Sequence, residues 1–184
     1  LHLAERGASC IDLVSPTQYA EDILCALRAV KDRLSIPVVW NTGGYENADT
    51  IRACRGLVDV FLTDFKYGTA ETAEKYSAAP DYVTAATDAL IAMVEVAGKP
   101  RWQGDRLTGG VILRHLVLPG QYKDSMKILD WIKENLGEDT FVSLMSQYTP
   151  MHQAKEIKAL SRKLTTFEYD KVVDHFFEIG LKIK

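Results

Sequence analysis

Ile36-Pro-Val-Val-Trp40 and Leu57-Val-Asp-Val-Phe-Leu62 are short, almost unbroken apolar runs, and the stretch between them carries a helical pattern. A half-buried strand alternates apolar and polar residues, whereas a run that stays apolar reads as a strand covered on both faces of a parallel sheet. The same signature recurs outward along the chain in Ser9 to Val14, Val111 to Leu118 and Phe141 to Met145. Five such runs alternating with helices call for right-handed crossovers and an α/β fold with a parallel sheet.

The helices between the runs have readable ends. Ser15-Pro16-Thr17-Gln18 offers an N-cap, a proline at the first helical position and a glutamine at the third, ahead of the stripe Ile23, Leu27, Val30 and Leu34. Gln121 to Leu136 carries the same kind of face in Met126, Leu129, Ile132 and Leu136, and Gly137 stops it. Thr165-Thr-Phe-Glu168 is a capping box that opens a helix with Val172, Val173, Phe176 and Phe177 turned inward until Gly180. Thr69 to Gly98 is Ala-rich and helical apart from a break at Pro80, and the charged, Gly-bearing stretch Lys99 to Gly110 reads as a surface loop.

At 184 residues the chain suits one domain over positions 1–184. A complete eightfold barrel takes roughly 250 residues, so a barrel built from this chain is a partial one. Leu1-His-Leu-Ala-Glu-Arg-Gly7 reads as the last turns of a helix, which leads to the expectation of a piece whose first strand lies upstream of Leu1. A barrel without that strand leaves the edge of Ser9 to Val14 unpaired, and self-association is expected from it.

Charge narrows the function classes. Twenty-two basic residues stand against 25 acidic ones, for a net charge of −3, and no stretch gathers Lys and Arg into a patch. That argues against nucleic acid as a partner. No apolar run reaches the roughly 18 residues of a membrane span. The three cysteines Cys10, Cys25 and Cys54 fit no metal motif, and they read as small buried hydrophobes. Their odd number, with no readable secretory signal, leads to the expectation of reduced thiols in a cytoplasmic protein.

Ligands of parallel α/β folds bind beyond the carboxyl ends of the strands. Here those ends read Ser15-Pro16-Thr17, then Asn41-Thr42-Gly43-Gly44-Tyr45, then Asp64-Phe65-Lys66-Tyr67, then Arg114-His115 with Pro119-Gly120, and last Ser146-Gln147-Tyr148. All are polar enough for a polar ligand. Each also has a structural explanation: Ser15 and Thr17 as caps, Asn41 to Gly44 as a turn, Asp64 and Lys66 as an ion pair, His115 as a buried histidine. Arg114 inside an apolar strand is costly unless it is paired or bound to an anion.

Trp40-Asn-Thr-Gly-Gly-Tyr45, Asp64-Phe-Lys66, Arg114-His-Leu-Val-Leu-Pro-Gly120 and Ser143-Leu-Met-Ser-Gln-Tyr-Thr-Pro150 together resemble the radical S-adenosylmethionine enzymes of the pyruvate formate-lyase activating branch. The resemblance runs over essentially the whole chain. It implies a partial parallel (β/α)6 TIM-like barrel, here with the first strand and the cluster loop missing. It also implies a 4Fe-4S cluster on a CxxxCxxC loop, S-adenosylmethionine chelated to that cluster, and a 5′-deoxyadenosyl radical that abstracts hydrogen. In the activases the hydrogen comes from a glycyl-radical protein, the implied partner.

Position by position, the resemblance puts Asn41, with Thr42 beside it, near the ligand's ribose, where the activases carry an aspartate. Asp64 and Lys66 match a DxK pair at the methionyl end, and Arg114 matches an RxxxxPG arginine nearby. Gln147 and Tyr148 fall near an activase histidine that is not reproduced. Ser15 and Thr17 stand where a GGE motif is expected, and their hydroxyls are the expected substitutes. CxxxCxxC is absent and is expected upstream of Leu1, so no residue of this chain is a metal ligand and the polypeptide alone is expected to be inactive. Two alternatives stand beside this reading. One is a degenerate barrel that binds a nucleotide-like ligand or a protein without catalysis. The other is an aldolase-type enzyme forming a Schiff base on Lys66.

Overall fold

The structure is a computed structural model and describes residues 1–137 and 140–181. It is a mixed α/β fold with a mostly parallel sheet, and the chain forms two compact units.

The first unit comprises residues 1–64 and 84–112. Its chain passes through α1 (His2–Glu5), β1 (Ile11–Val14), α2 (Ala20–Val30), β2 (Val38–Thr42), α3 (Ala48–Ala53) and β3 (Val60–Asp64). Most of α5 (Tyr82–Ala97), all of β4 (Arg101–Gln103) and the first part of β5 (Arg106–Leu116) complete it. Strand order is β1-β2-β3-β5-β4. β1, β2 and β3 pair in parallel, with Val14 opposite Asn41 and Asn41 opposite Leu62.

One face of β2 is fully covered: Val38 and Trp40 are wholly buried and Thr42 is nearly so. Ile51, Cys54, Phe61, Leu90 and Met93 fill the same core. Ala86, Ala89, Ala92 and Ala97 of α5 are buried too, so this helix turns a row of methyl groups inward beside its Leu90 and Met93.

Three expectations change here. Lys99 to Gly110 is an antiparallel hairpin, not a loop: Gln103 pairs with Arg106 and Trp102 with Leu107 across Gly104-Asp105. Gly104 has φ +60°, the positive angle that a two-residue hairpin turn of type II′ demands at its first central position. Ser15 caps nothing. It sits at φ +52°, and a short 3-10 turn (Thr17–Tyr19) leads into α2 without a side-chain cap. The cysteines differ among themselves, with Cys54 buried, Cys10 half-buried and Cys25 exposed on α2.

The second unit holds residues 65–83 and 113–184, with 138–139 and 182–184 outside the described residues. It contains α4 (Ala70–Ser77), the end of β5, α6 (Tyr122–Asn135), β6 (Phe141–Met145) and α7 (Thr166–Glu178). β6 pairs with β5, and past the strand Val117 N–H donates to the Met145 carbonyl at 3.0 Å. The capping box is present as read: the Thr165 hydroxyl accepts from Glu168 N–H, and the Glu168 carboxylate accepts from Thr165 N–H. Val172 and Phe176 are buried, whereas Phe177 is half exposed and lies off the inward stripe. Ile128, Leu129 and Ile132 of α6 complete the core, with Trp131 meeting Phe65 edge-on at 5.5 Å. Gly68 is needed for a close approach, because a Cβ there would lie 2.7 Å from the Asp124 carbonyl oxygen.

Candidate functional site: the strand ends

Side chains alternate across a strand, so the covered face of β2 defines the other one. Opposite Val38, Trp40 and Thr42 stand Val39 and Asn41, both half-buried. Parallel partners share a face, which aligns exposed Val14, Asn41 and Leu62 in one row, with Asp64 two residues further along β3. Asn41 is steadied there by its neighbour on β1: its amide nitrogen donates to an Asp12 carboxylate oxygen at 3.3 Å. Asn41 and Asp64 therefore lie on an accessible face at the carboxyl ends of their strands.

Thr42, on the opposite face, is only 5% exposed. Its hydroxyl donates to Oε1 of Glu46, and the Thr17 hydroxyl donates to the same oxygen. Two of the three hydroxyls expected at the ligand, those of Thr17 and Thr42, are thus turned to a carboxylate. Glu46 reaches them because Gly44, at φ +87°, folds the chain back: Gly44 N–H donates to the Thr42 hydroxyl at 3.3 Å, and Glu46 N–H to the Gly44 carbonyl at 3.1 Å. Glu46 is 5% exposed, and its Oε2 is buried with no hydrogen-bond partner among the described residues. Ser15 remains exposed and joins Asn41 through the backbone, its N–H donating to the Asn41 carbonyl at 2.8 Å.

Beyond the turn, a cavity of about 530 Å³ is lined by Tyr45, Glu46, Asn47, Asp49, Arg52 and Asp88, among others. Arg52 is committed to Asp49 at 3.2 Å and Glu95 at 3.3 Å. The cavity is therefore acidic in balance and suits no anion.

In the second unit, Arg114 lies half-buried at the end of β5, and its carbonyl accepts from Phe65 N–H at 2.9 Å. Lys66 is exposed, with its backbone N–H donating to the Tyr82 hydroxyl at 2.9 Å. Gln147 is exposed after β6, and Tyr148 is half-buried with its hydroxyl on the Leu160 carbonyl at 2.8 Å. Burial, with Tyr76 nearby, pushes the Tyr148 phenol above its ordinary pKa. His115 is the buried histidine of the structural alternative. Its Nδ1 lies 2.6 Å from the Phe65 carbonyl and its Nε2 lies 2.8 Å from the Ser125 hydroxyl. A carbonyl only accepts, so Nδ1 carries a proton.

Among the described residues no group of three or more His, Cys, Asp or Glu is arranged to hold a metal. Cys54 donates its thiol to the Thr50 carbonyl at 3.4 Å. Burial, then the charge of Glu46, pushes that thiol up to about 12. An iron–sulfur cluster needs thiolates converging on one point, and these cysteines do not fit one.

No protein-family model matches the chain. An uncharacterized protein of Methanocaldococcus jannaschii is 34% identical over 162 residues, which cover 86% of this chain and 43% of that protein. The chain thus spans less than half the length of this relative. A domain of pyruvate-formate lyase-activating enzyme from Bacteroides vulgatus has the same architecture, with a TM-score of 0.66 over 97% of this chain and 98% of that one. Sequence identity with it is 11%, so the likeness is one of fold.

Proposed function

We propose that this chain is the adenosyl-ligand-binding part of a radical S-adenosylmethionine protein of the pyruvate formate-lyase activating type, folded as a partial (β/α)6 barrel. The observation that carries the reading is Asn41, held by Asp12 on the accessible strand-end face of an architecture shared with an activating-enzyme domain.

This chain's own part is binding. In the first unit Asn41 and Ser15 are assigned to the ligand's ribose hydroxyls, and Asp64 to a donor such as an ammonium group. When bound, S-adenosylmethionine supplies the sulfonium carbon from which a radical is generated on reduction. The residues described here do not fit the cluster that delivers the electron, so its thiolates are assigned to sequence outside these 184 residues. In the whole protein a glycyl-radical protein is the assigned partner. Lys66 is exposed and lacks the apolar enclosure that activates aldolase lysines, so the Schiff-base reading gains nothing from the structure.

Equilibrium dialysis of the folded chain against labelled S-adenosylmethionine tests the proposal. Saturable binding is expected, and Asn41→Ala should weaken it about fivefold, the worth of one net hydrogen bond. A folded chain with no saturable binding at millimolar ligand overturns the reading. Binding by the whole protein without ligand cleavage under strong reductant favours the non-catalytic alternative.

A further inference from the structure

We propose that Glu46 is a positioning residue that holds Ser15 in a left-handed backbone conformation beside Asn41, and so shapes the adenosyl-ligand face. The inference rests on the ligand reading above, and it assigns a role to a residue outside the polar series at the strand ends.

Ser15 has φ +52°, a region that L-residues other than glycine, asparagine and aspartate rarely enter. It also precedes Pro16, where the proline ring drives its neighbour toward extended backbone. Left to itself, this loop would relax away from the conformation that puts Ser15 N–H on the Asn41 carbonyl. Strained backbone persists only where its surroundings over-determine it.

Glu46 supplies that constraint. One carboxylate oxygen gathers the Thr17 hydroxyl, two residues beyond Ser15, and the Thr42 hydroxyl, one residue beyond Asn41. The loop after β1 is thereby tied to the loop after β2 on the buried side, directly behind the pair that faces outward. The Thr42 arm of the tether is out of water, since Glu46 and Thr42 are both 5% exposed, while the Thr17 end is exposed; hydrogen bonds to a carboxylate are the stronger kind. A carboxylate buried with its second oxygen unpartnered is costly for stability alone, which argues that its placement serves the loops it joins.

The test is a double-mutant cycle on ligand affinity. Glycine adopts positive φ without strain, so Ser15→Gly makes the tether unnecessary while setting its own reference for the lost hydroxyl. Glu46→Ala in the native background should weaken S-adenosylmethionine binding about tenfold, and Glu46→Gln, which keeps one acceptor oxygen, less than about threefold. In the Ser15→Gly background the cost of Glu46→Ala should shrink to less than about twofold. Thr17→Val cuts one arm of the tether with little change of shape and must show the same coupling, which keeps the test decisive should Glu46→Ala fail to fold. Equal losses in both backgrounds, or no loss in either, overturn the role of Glu46 while leaving the ligand reading intact. A native chain that binds no adenosyl ligand overturns both.

Discussion

Replacing Glu168 by glutamine keeps the shape of the side chain and removes its charge at the most heavily bonded carboxylate of the second unit. Oε1 accepts from Arg162 Nη2 at 2.7 Å and from Gly120 N–H at 2.6 Å. Oε2 accepts from Arg162 Nη1 at 2.8 Å, from the Thr165 hydroxyl at 2.8 Å and from Thr165 N–H at 3.1 Å. The carboxylate side is 9% exposed and the guanidinium 44%, so the pair is half in solvent and its attraction must be discounted accordingly. Charge-assisted bonds are worth about 1.5–3 kcal/mol each and do not add, and breaking a buried pair by removing one partner costs about 3–5 kcal/mol. With the exposed guanidinium in view, the expected loss for Glu168→Gln at pH 7 is about 2–3 kcal/mol.

The pH dependence carries a sign. Arg162, then the Thr165 and Gly120 donors, hold the Glu168 carboxyl well below the ordinary carboxylate range. A depressed folded pKa contributes stability that is present above the unfolded value, about 4.3, and lost as pH falls toward the folded one. In that window the unfolded chain binds one more proton at this site, so the native protein loses about 1.4 kcal/mol per pH unit that Glu168→Gln does not. Urea denaturation followed by circular dichroism at pH 7, 4 and 3 measures both. The reasoning is refuted if the two proteins lose stability in parallel on acidification, or if the variant costs less than about 0.5 kcal/mol at pH 7.

Two further outcomes follow from the backbone and the thiols. Ala78 ends α4 at φ +50°, so Ala78→Gly should raise stability by about 0.5–1 kcal/mol in thermal unfolding, and a loss would contradict the left-handed assignment. Cys25 is exposed while the Cys54 thiol is pushed up to about 12. Titration with a thiol reagent at pH 8 should therefore modify Cys25 readily and Cys54 only after unfolding, and prompt labelling of Cys54 in mapped peptides would defeat that account.

The sequence was a good guide to which segments are strands and a poorer one to where they end. Phe141–Met145 matches its apolar run residue for residue. Ile36 to Trp40 instead becomes Val38–Thr42, because ladder hydrogen bonds continue past the apolar run into Asn41 and Thr42. The hairpin arm Arg101–Gln103 is exposed along its length and so gives no hydrophobic signal, leaving Gly104-Asp105 as its one readable mark. At the site, Asn41 and Asp64 were legible as polar residues at strand ends, and the structure puts both on an accessible face. Position at a strand end was not enough for Thr17 and Thr42, whose hydroxyls turn to Glu46. Thr17 and Glu46 are 29 positions apart, and a side-chain bond of that separation leaves no trace in local pattern. The one hint was an acid four residues after a buried threonine across a double glycine.

The alanine face of α5 has a consequence for how this sequence can drift. Ala86, Ala89 and Ala92 are wholly buried, so trimming them to glycine removes almost no volume and costs mainly helix propensity. Enlarging any of them to valine or leucine adds methyl groups to close-packed space. Tolerance there is one-sided, the reverse of the rule at Phe61 or Leu90, where shortening is what hurts. A saturation scan of α5 would show Ala86, Ala89 and Ala92 accepting only small residues, and inherited variation at these three positions should be confined to alanine, glycine and serine.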